Sequence, residues 1–437
     1  MPCKGACILK TNARPRQSGV PLSNAYSFRA NRQDTFGHLP DVNLPVKCDV
    51  AIVGAGPAGS VLAATLARRG ATVAIIDASH PREKPCGGGF TGRALELVAD
   101  LVPLTRLAGV RIRTARFLDT PRGTSVAVPL EARHALVVAS RSVADAALYD
   151  AAIEAGAIPV RARVTDVERT VGTRVSLSDG GHIDAGCVAG ADGANSLVRR
   201  RLSQPFRRED LSVATGFYAH GVTSDEILLE LVHDPPGYIW SFPRGDHQAL
   251  GICAQATDTA VGPLRAVLSR WIEQTGVARG ARLEPYSWPI PALTPRAFDR
   301  VEISGAGWIT LGDAAGLVDP ITREGIFFAL QSAVFAADAL MSASVHNATQ
   351  HYGERVRADI VSDLRAAASL KAGFFRPEFA CLLNDALASS ARIRAVMADL
   401  VAGTQPYGTL KRRLLSTCEL RLAWRWLRES QRMLHGL

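Results

Sequence analysis

The chain is short of several things, and each shortage removes a class of function. It has eight cysteines, at 3, 7, 48, 86, 187, 253, 381 and 418, but no CxxC pair and no paired His–Cys spacing of the kind zinc requires, so no metal site is expected. No uninterrupted apolar stretch approaches the ~18 residues of a spanning helix. The N-terminus lacks the apolar centre of a secretory signal, which makes a reducing, cytoplasmic setting the default expectation. Aromatic residues are only 6% of the chain, and the basic excess (50 Lys and Arg against 41 Asp and Glu, net +9) is scattered rather than gathered into aromatic-interleaved stripes. Nucleic acid is therefore not an expected partner. Such a surface suits anionic lipid or a pyrophosphate-bearing substrate.

What remains is an ample core for two or three domains in 437 residues, 47% of them hydrophobic. Four motifs punctuate it. The first, Gly54-Ala55-Gly56-Pro57-Ala58-Gly59, follows the apolar run 49–53 and opens a helix pattern over 57–69. Gly54 permits a tight turn, Gly56 lets backbone approach a pyrophosphate, and Gly59 lets the helix lie close to the sheet. The helix N-terminus then faces the anion. A second apolar run, 72–76, ends in Asp77, about 20 residues beyond the turn, where an acid can accept from ribose hydroxyls.

Lys84-Pro85-Cys86-Gly87-Gly88-Gly89 follows. Its glycines bare the backbone for close approach to a flat ring, with Cys86 at the reactive end; Cys86 as a small buried hydrophobe is the plain alternative. Gly190-Ala191-Asp192-Gly193 and Leu311-Gly312-Asp313-Ala314-Ala315-Gly316 complete the set. Beyond the last, the run from Pro320 enters a nearly all-apolar helix over 327–341, whose free amides at Gly325 and Ile326 would stabilise negative charge on a bound group. Tyr238, Trp240 and Phe242 alternate at period two and share one strand face, as core packing or as a cavity lining. Residues 110–138 read as β-rich, 141–157 as a glycine-capped helix, and 207–294 as antiparallel strands with a helix near 261–274.

In this order the motifs resemble the geranylgeranyl reductase family, within the flavoproteins that share a para-hydroxybenzoate hydroxylase-like fold. The resemblance runs from about Cys48 to Val345. Lys84 to Gly89 is similar to the family's KxCGGG signature and Tyr238 to Pro243 to its YxWxFP motif. It implies an α/β fold: a Rossmann-like FAD-binding domain, an inserted antiparallel-sheet substrate domain and a C-terminal helical region. The implied boundaries are 48–112, 136–206 and 295–345 for the FAD-binding parts, 113–135 and 207–294 for the substrate domain, and 346–437 for the helices. It also implies that Gly54, Gly56, Ala58, Gly59, Asp77, Cys86, Gly87, Gly89, Arg141, Val164, Asp192, Asp313, Gly325 and Ile326 bind FAD. Arg141 would contact the flavin, Val164 the adenine through its backbone, and Asp313 a ribityl hydroxyl. Tyr238, Trp240 and Phe242 would line an isoprenoid pocket, with Cys86 and Tyr238 as candidate acids beside a hydride transfer to an alkene. NAD(P)H or a ferredoxin would supply electrons, since no second dinucleotide fold is evident. Many members have Gly where this chain has Arg323.

A flavin monooxygenase or halogenase acting on an aromatic scaffold, and a flavoprotein serving only as a redox partner, remain open alternatives. Residues 1–47 read as a disordered extension, a transit peptide or an upstream start. Residues 410–437 read as a basic amphipathic helix, either packed or peripheral on a membrane.

Overall fold

The computed structural model describes residues 47–342 and 344–417. The expected N-terminal extension, apart from Lys47, and the basic segment beyond Thr417 lie outside the described residues.

The strand Lys47–Val53 carries apolar side chains on both faces because both faces are covered. Val50 and Ile52 enter one core cluster, Ala51 and Val53 another. It pairs in parallel with His182–Gly190 on one side and Val73–Ile76 on the other, and Trp308–Thr310 and Ile158–Val160 continue the parallel ladder outward. Thr173–Leu177 and Val164–Arg169 add antiparallel strands, and Ser304–Gly305 closes the far edge, making eight strands. The helix Pro57–Arg68 packs over this sheet against Arg141–Glu154 and Ile326–Ser342. Fully buried Leu62, Leu66 and Ile75 are each worth about 1.5–3 kcal/mol relative to exposure.

A second sheet has seven strands in the order Arg282–Pro291, Leu211–His220, His247–Gln255, Pro236–Pro243, Glu226–His233, Thr114–Asp119 and Thr124–Pro129. All its pairings are antiparallel except that of Thr114–Asp119 with Glu226–His233. Strand alternation sorts its faces. Ile239, Leu250 and Ile252 meet Leu264, Leu268 and Trp271 of the helix Val261–Thr275. The opposite face carries Tyr238, Trp240, Phe242 and Cys253. Trp240 lies over Gly251, its strand partner, where an added Cβ would come within 2.1 Å of the indole.

The C-terminal helices build that face outward. Val345–Val356 runs through a π-helical turn, Arg357–Val361, into Ser362–Phe374, and Pro377–Ser389, Ala391–Val401 and Tyr407–Ser416 follow. Leu383, Ile393, Met397 and Leu400 join Ala115, Phe117, Val128 and Ile227 in one cluster. Buried His134 fastens the arrangement, with Nε2 2.7 Å from Asp399, which also pairs with Arg413. A short third sheet joins Gly89–Thr91 to Leu136–Val138 and Val110–Arg111.

Candidate active site

The first glycine turn is shaped by what each missing side chain avoids. Gly54 lies at φ +102°, and a Cβ there would fall 2.4 Å from the Ala191 carbonyl oxygen; one on Gly59 would fall 1.9 Å from that of Gly54. Gly56 faces open space, with only His80 Nε2 within 4 Å of an added Cβ. The helix Pro57–Arg68 starts with no side-chain cap and no acid in its first turn, so the amides at Ala58 and Gly59 are aimed at an anion. Beside this cradle, Asp192 accepts from the Leu197 and Val198 amides through one oxygen, while Oδ1 is buried without a partner. The open glycine cradle and uncapped amides fit a dinucleotide pyrophosphate, and the unpartnered Asp192 oxygen beside them fits a hydroxyl donor.

Asp77 is more occupied than its sequence position suggests. Its carboxylate accepts from the amides of Ala55, Ser79 and His80, from the Ser79 hydroxyl and from His80 Nδ1. Burial would raise its pKa, but His80 and these amides hold it well below the usual carboxylate range. His80 also lies 3.4 Å from buried Asp145. Burial opposes its charge, yet Asp145 and Asp77 together raise its pKa. No motif pointed to His80; its only sequence signal is its place three residues after Asp77. Val164 opens its strand at the edge of the second core cluster and does not reach the cavity described below.

The glycines of the cysteine–glycine loop line the cavity, and two of them are also demanded by protein atoms. A Cβ on Gly87 would meet the Phe242 ring at 2.6 Å, and Gly88, at φ +81°, would place one 2.3 Å from the Ala139 carbonyl oxygen. Gly89 instead starts a strand. Fully buried Arg244 holds the loop from behind: it donates to the Cys86 carbonyl (2.6 Å) and pairs with Glu83. Glu83 in turn accepts from the Ser140 hydroxyl and the Arg141 and Ser142 amides. Sequence reading missed this clamp, although Arg244 directly follows the aromatic strand. Cys86 Sγ accepts from the Gly88 amide (3.3 Å). Burial works against the Arg141 charge, but Asp145 and then the Cys86 thiol more than restore it, so its pKa lies above the ordinary arginine value.

Asp313 pairs with Lys84 at 3.1 Å, joining two motifs far apart in sequence. The turn after it is tied by Asp319, which accepts from the Ile321 and Thr322 amides. Glu324 accepts from Thr91 and pairs with Arg93. Arg323 adopts φ +61°, a region that favours glycine. Gly325 and Ile326 then open the helix Ile326–Ser342.

One cavity, with about 1650 Å³ of empty space open to solvent, touches the cysteine–glycine loop, Asp313 and the turn after it, and reaches the first glycine turn only at Pro57; Gly54, Gly56, Ala58, Gly59, Asp77 and Asp192 do not line it. Pro57, Cys86, Gly87, Gly89, Arg141, Asp313, Gly325 and Ile326 line one end. Phe242, against Gly87 and Gly89, and Tyr238, bonded to Thr322, continue the lining with Trp240 into the apolar wall of Phe117, Leu229, Ile290, Met397 and Leu400. The helical contribution to this wall was not foreseen. Tyr238 donates its hydroxyl proton to the Thr322 carbonyl (2.8 Å), and burial pushes its pKa well above the ordinary tyrosine value. Among the described residues no group of three His, Cys, Asp or Glu side chains could hold a metal ion, and no helix is long and apolar enough to cross a membrane.

The FAD binding domain family matches residues 47–288. A menaquinone reductase of Mycolicibacterium smegmatis is 32% identical over 321 residues, 68% of this chain and 78% of that protein. A geranylgeranyl diphosphate reductase of Rhodobacter capsulatus is 29% identical over 309 residues, 68% and 76% of the two chains. Among solved structures, a geranylgeranyl bacteriochlorophyll reductase-like protein of Thermoplasma acidophilum superposes with a TM-score of 0.71 at 23% identity, covering 85% of this chain and 99% of that one, and so shares the fold. With a dinucleotide cradle, and with the cysteine–glycine loop and the aromatic strand around one cavity beside it, the chain belongs to the geranylgeranyl reductase family of FAD-dependent oxidoreductases.

Proposed function

We propose that this enzyme reduces carbon–carbon double bonds of an isoprenoid chain. The observation that carries the reading is the single cavity running from the Cys86–Gly89 and Thr322–Ile326 loops to a wall of aliphatic and aromatic side chains. A long apolar substrate suits such a wall, at about 0.8 kcal/mol for each CH₂ taken out of water. Reduced FAD, when bound, supplies the hydride.

The chain's own residues supply the rest. The backbone of Gly54, Gly56, Ala58 and Gly59 would hold the pyrophosphate, with Asp192 accepting from a hydroxyl beside it, Asp77 and Val164 would meet the adenosine end, and Lys84 with Asp313 the ribityl chain. The helix beginning at Gly325 and Ile326 would stabilise negative charge on a reduced flavin held against its N-terminus. An isolated alkene resists hydride attack, so a proton must reach one carbon as the hydride reaches the other, and positioning provides most of the gain. Cys86, whose Sγ accepts from the Gly88 amide and which lines the cavity, is a candidate donor of that proton. Tyr238 has its proton committed to Thr322 and orients that loop. NAD(P)H or a ferredoxin supplies the electrons. We place the enzyme in the cytoplasm, with the Arg- and Trp-rich sequence 410–437 bringing it to the membrane that holds its lipid.

The test is anaerobic incubation of the dithionite-reduced, FAD-loaded protein with geranylgeranyl diphosphate, followed by mass spectrometry. Gain of two hydrogens per reduced bond is expected; recovery of unchanged lipid from several prenyl substrates overturns the reading.

A further inference from the structure

The turn that leads into the helix Ile326–Ser342 is closed by Asp319. Its backbone amide donates to the Glu324 carbonyl and its carbonyl accepts from the Arg323 amide, both at 3.0 Å. Its side-chain Oδ1 accepts from the Ile321 and Thr322 amides, at 2.7 and 3.0 Å. Within this turn Arg323 sits in the left-handed region, which a non-glycine residue keeps only when the surroundings fix it. Some of those surroundings are already placed: Tyr238 donates to the Thr322 carbonyl from the second sheet, and Thr91 and Arg93 hold Glu324.

Another hold comes from the C-terminal helices. The Tyr407 hydroxyl donates to Asp319 Oδ2 at 2.7 Å, and both residues are buried. Tyr407 is itself fixed, because it opens the helix Tyr407–Ser416 and its amide donates to Asp363 Oδ1 at 2.9 Å. Just before it, Gly403 lies against the Arg93 guanidinium, where an added Cβ would come within 2.6 Å. Residues 403–407 therefore reach both ends of the turn, through Asp319 and through the Arg93–Glu324 pair. The hydroxyl answers a buried carboxylate oxygen that would otherwise lack a donor. Burial, and then the Asp319 charge, push the Tyr407 pKa well above the ordinary tyrosine value, so that proton stays in place.

We propose that Tyr407 is a positioning residue for the flavin: through Asp319 it fixes the turn 319–325, and so lets the C-terminal helices set how strongly this protein favours reduced over oxidised FAD. Losing the hydroxyl acts twice in one direction. The Asp319 charge is left uncompensated beside the turn, and the amides at Gly325 and Ile326 lose their fixed aim; both disfavour a negatively charged reduced flavin. The inference concerns the cofactor and does not depend on which lipid is reduced.

The test is the midpoint potential of the FAD-loaded, full-length protein, measured against a reference dye in the wild type, Tyr407→Phe, Asp319→Asn and the double variant. Phenylalanine keeps the buried ring and asparagine keeps an oxygen for the turn amides, so the four proteins form a thermodynamic cycle. Tyr407→Phe should lower the preference for reduced FAD about fivefold, which is about 20 mV for a two-electron couple. In the Asp319→Asn background the same substitution should change it less than twofold. An unchanged potential in Tyr407→Phe with a lowered urea midpoint makes Tyr407 a packing residue and overturns the proposal. An equal shift in both backgrounds overturns it too, since the hydroxyl would then act by a route other than Asp319. Asp363→Asn weakens the hold on the Tyr407 amide and spares its hydroxyl. It should lower the urea midpoint and leave the potential in place; a shift as large as that of Tyr407→Phe would assign the effect to general loosening of the helices and contradict the specific role.

Discussion

The two ends of the cavity are built by opposite rules. At the flavin end, positions are decided atom by atom: Gly54, Gly59 and Gly88 each leave less than 2.5 Å for a methyl group, and buried Arg244 and Asp145 are fixed by paired charges. At the apolar end, Phe117, Ile227, Leu383, Met397 and Leu400 come from well-separated stretches and share only size and polarity. A hydride acceptor must be held to within fractions of an ångström, whereas a flexible prenyl chain needs only to be kept from water. The flavin end should therefore fail on a single-atom change and the apolar end should absorb one.

The largest effect expected is at Arg244. Arg244→Met leaves Glu83 without its cation and the Cys86 carbonyl without a donor, and about 3–4 kcal/mol of stability should be lost in urea unfolding. A loss under 1 kcal/mol would show that the clamp is incidental. Gly88→Ala comes next, at about 2–3 kcal/mol, with FAD released on dialysis, because the new methyl meets the Ala139 carbonyl in a backbone region alanine avoids. Full flavin content in that variant would contradict the loop's proposed constraint. Met397→Leu tests the other end: it should cost less than about 1.5 kcal/mol, leave the flavin spectrum unchanged and move KM for lipid more than kcat. The smallest effect is with pH. His80 has a native pKa above its unfolded value, so its contribution is complete below about 6.5 and fades as pH rises through the native value. Urea unfolding at pH 6 and pH 9 should show that decline, and His80→Gln should flatten it.

The same contrast explains what could be read from the sequence. The dinucleotide unit is continuous, so its strand, turn, helix and acid announce themselves over 49–77, and the period-two aromatics disclose a shared face at Tyr238, Trp240 and Phe242. Contacts between distant segments leave no local trace. Nothing near Gly87 says that the Phe242 ring occupies the place of its side chain, and nothing near Lys84 names Asp313. The apolar wall from Pro377–Ser389 and Ala391–Val401 follows from helices packing on the second sheet, so Leu383 and Met397 look like ordinary core positions until the sheet is in place. Nothing in the sequence around Arg323 announces the left-handed backbone it adopts.

The most direct test of the central claim is anaerobic stopped-flow absorbance of the reduced, FAD-loaded protein mixed with geranylgeranyl diphosphate. Return of the oxidised flavin bands without oxygen, at a rate that saturates with lipid and drops at least tenfold in Cys86→Ala, is the predicted result. Flavin that stays reduced with every prenyl lipid, and reoxidises only when oxygen is admitted, would contradict it.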